Sequence, residues 1–98
     1  MSATISADLL AEAKTYLDIT WADAETDAKL TGTLQRGIAY ISDKTGITDV
    51  AADDRAKELL FNYALYDRSG SLDAFKRNYR PDLIGLQIRT EVQASEAT

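Results

Sequence analysis

Apolar positions along this chain recur at three- and four-residue spacing, and no segment alternates with the period of two that marks a half-buried strand. The densest stretch is 56–79. Ala56, Leu59, Leu60, Tyr63 and Ala64 share one helical face, and Phe61, Leu65 and Tyr66 widen it past half the circumference. Only Arg55, Glu58 and Asn62 form a clearly wet line. A helix this apolar is packed on more than one side, so the pattern predicts a central helix over about 51–69. Asp67-Arg68-Ser69-Gly70 ends it. Gly70 suits the left-handed C′ position, and Ser71 can cap a second helix, 71–79, carrying Phe75 and Tyr79 back over the core.

The same periodicity predicts a helix over 7–17 behind Ser6, with Leu9, Leu10, Ala13, Tyr16 and Leu17 on its apolar side. A longer one over 24–44 has the ridge Leu30, Leu34, Ile38 and Ile41 and is capped by Thr20 or Asp23. Gly37 lies near that ridge, where a closely approaching neighbour would offset its cost of ~1 kcal/mol relative to Ala. Gly46 closes the helix, and Asp49 or Asp53 starts the central one. Arg80 precedes Pro81 and is pushed from helical geometry, so a break is expected there. A last helix follows over 81–92, anchored by Leu83 and Leu86 with Ile84 and Ile88 as further candidates, and then a mobile tail, 93–98. The expected fold is all-α: a compact bundle of four to five helices, with a core of 1–80 and a C-terminal arm of 81–98 in one domain.

Composition removes most chemistry. The 98 residues include no Cys and no His, which excludes disulfides, thiol nucleophiles, Cys-based metal sites and the usual general base. The five glycines form neither a dinucleotide fingerprint nor a Walker loop. Asp23 and Asp27 are four apart and could share a hard cation, but a solvated helix start accounts for them. No catalytic site and no cofactor are expected. The N-terminus lacks the basic and apolar regions of a signal peptide, and no apolar run reaches the ~20 residues of a membrane span. The expectation is a soluble intracellular protein without membrane contact.

Charge is uneven. Residues 1–67 hold 6 basic and 12 acidic side chains, whereas 68–89 hold five basic and two acidic ones in a chain of net charge −5. That acidic balance argues against free nucleic acid as the main partner. Phe75 and Tyr79 are expected to pack inward, with Lys76, Arg77 and Arg80 solvated. Trp21 reads as a cover over the first helix junction or as an interface anchor.

Three segments resemble one family. LLAEAKTYLDITWADAETDAKL is similar to the opening of tailed-phage head–tail connector proteins, and GTLQRGIAYISDKTG to their second helix. LLFNYALYDRSGSLDAFKRNYRPDLIGLQI resembles their helix–corner–helix pattern L-L-x-x-Y-x-x-Y-D-x-S-G-x-L-D-x-F-x-x-N-Y. The likeness covers about 7–90, and Gly32, Gly37 and Gly85 depart from it. It implies a non-enzymatic adaptor that forms a ring, often twelve-fold, under the phage portal protein after DNA packaging. The ring would serve as the platform for a tail or stopper protein. DNA would pass through it without specific binding. The location implied is the virion neck, and the host cytoplasm during assembly. The charge split suits a contact between copies in which Arg68, Lys76, Arg77, Arg80 and Arg89, with Leu83 and Leu86, meet the acidic 8–58 surface of the next. The competing classes are a small helical protein-binding regulator and, more distantly, a nucleic-acid-binding module.

Overall fold

Three of the five helices begin where a short polar side chain meets free backbone amides. A computed structural model describes residues 4–96. In α1 (Ala7–Tyr16) the Ser6 hydroxyl accepts from the Leu9 amide at 3.1 Å. In α2 (Ala24–Thr45) Asp23, not Thr20, is the cap, accepting from the Glu25 amide at 3.3 Å. A 3-10 turn (Val50–Ala52) leads into α3 (Asp54–Arg68), where Asp53 rather than Asp49 caps, accepting from the Ala56 amide at 3.0 Å. The chain continues through α4 (Leu72–Asn78) and α5 (Arg80–Glu96), with no strand among the described residues. The fold is all-α.

The long helix α2 and the apolar helix α3 pack together at the centre. Leu30, Leu34, Ile41 and Leu60 are each at most 2% exposed, and burying one such side chain contributes ~1.5–3 kcal/mol. Gly37 makes the approach possible: a Cβ there would lie 2.7 Å from Leu60 Cδ1 and 2.9 Å from Tyr63 Cδ1. A polar link crosses the same interface. Thr33 Oγ1 donates to Asp67 Oδ2 at 3.1 Å and accepts from Arg36 at 3.1 Å, which ties the end of α3 to α2. The expected wet line of α3 is partly roofed, because Arg55, Glu58 and Asn62 share a groove with Tyr79, Asp82 and Leu86.

The C-terminal arm differs from its expectation. It is one helix from Arg80 to Glu96, so the expected break falls at Tyr79 and Arg80 itself is helical, and it packs along α2. Residues 93–96 of the expected tail are helical, and 97–98 lie outside the described residues. Leu83 and Leu86 are 4% and 2% exposed and belong to the core, while Ile84 and Ile88 point to solvent. Further along α5 the Arg89 guanidinium pairs with Asp53, the α3 cap.

Asp53 therefore serves two helices. The Ala56 amide foremost, and then the Arg89 guanidinium, hold its carboxyl below the ordinary value against the opposing effect of burial. A depressed carboxylate contributes stability above the ordinary carboxylate range and loses it as pH falls through the folded value. Asp53→Ala is expected to cost about 1–3 kcal/mol near neutral pH in urea titrations. Asp53→Asn keeps a capping oxygen and should recover part of that loss. Its stability should also fall less steeply than the wild type's below about pH 4. Equal losses for the two variants would assign the whole effect to Arg89.

Candidate interaction surface

The corner after α3 sets the direction of everything on this face. Gly70 takes φ +69°, the Ser71 amide donates to Tyr66 O at 2.8 Å, and the Gly70 amide donates to Asp67 O at 3.1 Å. These bonds satisfy carbonyls that the end of α3 would leave orphaned. Ser71 is not a side-chain cap, since its hydroxyl turns to Ser69 O at 3.4 Å.

The corner delivers Phe75 into the core with no exposed surface. The rings of Tyr79, Tyr63, Tyr66 and Tyr40 surround it at centroid distances of 5.0, 5.5, 5.9 and 6.4 Å. The Tyr63 contact is edge-on at 82°, the arrangement that the ring quadrupoles favour. Tyr79 is held further by its hydroxyl, which with that of Tyr16 donates to Asn62 Oδ1, at 3.5 and 3.1 Å. Burial, and then the neighbouring Tyr66, push the Tyr79 phenol above its ordinary value.

With Phe75 locked inward, the next two residues of α4 must face outward. Lys76 and Arg77 are exposed, as are Arg68 at the corner and Arg80 at the start of α5. Lys76 and Arg80 join Lys44 of α2 around a groove of ≈ 400 Å³, with Tyr40, Leu83, Ile84 and Gln87. The Lys76 and Lys44 ammonium groups lie 5.1 and 5.7 Å from the centre of the Tyr40 ring. None of these three cations forms an ion pair among the described residues. The groove is a concentration of positive charge on an otherwise acidic molecule.

The seven residues expected at an interface are thus divided. Lys76 and Arg80 line one groove, and Arg77 stands beside it on the surface of α4. Arg68 borders a separate groove with Lys29, Arg36 and Asp67. Arg89 is drawn to Asp53. Leu83 and Leu86 are core residues and present nothing to a partner, because α5 docks through them rather than leaving them free.

Sequence reasoning missed Tyr40 and Lys44, which only the packing of α2 against α4 and α5 brings to the groove. It also left open whether Ile84 and Ile88 face inward. Together with Val92 they form an outward line, 44%, 56% and 48% exposed. Their i, i+4, i+8 spacing was the available signal.

Among the described residues no group of three or more carboxylates is placed to hold a metal. Asp23 is occupied in capping, and Asp27 pairs with Lys14 at 2.9 Å. No described helix is long and apolar enough to cross a membrane. Trp21 is 50% exposed, its ring N–H directed at Thr26 Oγ1 at 3.5 Å. What the surface offers is exposed charge and exposed apolar area. No family model, curated protein or solved structure matches the chain.

Proposed function

We propose that this chain is a non-enzymatic assembly protein of the head–tail connector kind, forming a ring under a phage portal and offering a platform to the tail. The observation that carries this is the segregation of charge. Four exposed cations, Arg68, Lys76, Arg77 and Arg80, sit along the corner and the two helices after it. The first 67 residues carry twice as many acidic as basic side chains. A head-to-tail contact between unlike faces generates a ring when the rotation closes. The resemblance of 59–79 to the connector corner pattern supports the same assignment, since its aromatic positions are those gathered around Phe75.

A second reading, a helical regulator that binds one other protein, is favoured by the exposed apolar line on α5. Light scattering over a wide concentration range, followed by electron imaging, separates the two. Closed rings are expected at high concentration, and Lys76→Glu with Arg77→Glu should abolish them while leaving the helical circular dichroism unchanged. A species that never grows beyond a dimer would favour the regulator. Rings indifferent to the double reversal would remove the charge argument.

A further inference from the structure

The apolar line on the outer face of α5 is left exposed by the described residues. Ile84, Ile88 and Val92 form it over roughly 12 Å of helix at 1.5 Å per residue. Gly85, on the same side, has nothing within 4 Å of where a Cβ would be, so a second backbone can come close there. The charges at the two ends are opposite. The cationic groove of Lys44, Lys76 and Arg80 adjoins the first turn, and Glu91 and Glu96 lie in the last two turns.

We propose that α5 pairs antiparallel with α5 of a second copy, about a two-fold axis at Ile88. Centring the pair there sets Ile84 of each chain level with Val92 of the other, and Glu91 level with Gly85. Arg80 and Glu91 are eleven positions apart, only about 20° around the helix, so both stand on the same flank of the apolar line. A two-fold axis between antiparallel helices brings like flanks together. Glu91 of one copy therefore faces the Lys44–Lys76–Arg80 groove of the other, twice per dimer. A parallel pair would bring unlike flanks together and leave Glu91 away from the groove, so charge selects the antiparallel arrangement. Such a contact is self-complementary and closes at two copies. It is distinct from a head-to-tail ring contact and does not depend on the connector assignment: dimers at low concentration test one, rings at high concentration the other.

The chain has no cysteine, which makes the axis directly testable. Ile88→Cys should give a disulfide-linked dimer under mild oxidation, whereas Leu65→Cys, exposed on α3, should remain monomeric on denaturing gels. In sedimentation equilibrium, Ile88→Glu should weaken the dimer about a hundredfold, since its carboxylates would meet at the axis among apolar side chains. Arg80→Glu and Glu91→Arg should each weaken it with helicity retained. Mixing those two variants should restore dimers, because each then finds its complement in the other chain. A wild type that is monomeric at every concentration overturns the proposal, even if it binds a DNA duplex through the groove. So does a dimer that Ile88→Cys fails to cross-link, or one in which mixing restores nothing.

Discussion

Phe75→Ala is expected to be the most damaging single truncation in the helical corner, lowering stability by about 3–5 kcal/mol. The side chain has no exposed surface, and four tyrosine rings pack on it from α2, α3 and the end of α4. Removing it costs the transfer of a whole aromatic ring and leaves a cavity whose walls are rigid rings. They belong to three different elements and cannot close on the space together. For a chain of this length a loss of that size lowers Tm by at least roughly 12 °C and removes much of a typical total stability. Phe75→Leu keeps most of the volume and should cost about half as much or less. Thermal melts followed in the far and near ultraviolet would check both, the near-ultraviolet signal reporting the tyrosines directly. The α4 seven-residue helix has no other buried anchor, so Phe75→Ala should also free Lys76 from Tyr40 and disperse the cationic groove. A variant that melted within a few degrees of the wild type would mean that the corner holds without its aromatic centre.

What was legible in advance follows from how local the determining interaction is. Helix existence and order depend on 3.6-residue periodicity and on turn chemistry within a few positions, and all five helices fall within a few residues of where those signals put them. The caps of α2 and α3 were legible only as pairs of candidates. Asp49 and Asp53 are equally suited by type, and the 3-10 turn at Val50–Ala52 hands the role to Asp53. Face selection on α5 was legible in part: Leu83 and Leu86 were expected as anchors and are buried, while the side taken by Ile84 and Ile88 was left open. Leu83 and Leu86 form one apolar line, and Ile84, Ile88 and Val92 another of similar hydrophobicity. The choice, and with it the rotation of α5 about its axis, is made by packing against α2 and α4. The Arg89–Asp53 pair, 36 positions apart, is a product of the same rotation. Of the residues expected at an interface, Leu83 and Leu86 are buried in the chain's own core, whereas Lys76, Arg77 and Arg80 are exposed. Their exposure follows locally from Phe75 being the inward residue of α4.

The helix–helix approach at Gly37 supplies the second large expectation, because two opposing effects there have known sizes. Ala is the better helix former by ~1 kcal/mol, and that gain would apply at either interior glycine of α2. At Gly32 a Cβ would meet only the far end of the Arg36 side chain, at 3.4 Å, so Gly32→Ala should stabilise by nearly the full amount. At Gly37 the same methyl would lie 2.7 Å from Leu60 Cδ1 and 2.9 and 3.3 Å from two atoms of the Tyr63 ring. Leu60 is fully buried and cannot swing away, and Tyr63 is held edge-on against Phe75. Relief therefore requires α2 and α3 to separate, loosening the contact on which the core depends. Overpacking of this kind costs ~1–3 kcal/mol, enough to exceed the propensity gain, and Gly37→Val should cost more still. Paired urea titrations of Gly32→Ala and Gly37→Ala should thus move the midpoint in opposite directions with unchanged slopes. If both variants were stabilised, α2 and α3 would have room to spare, and the glycine would be an ordinary weak point in the helix.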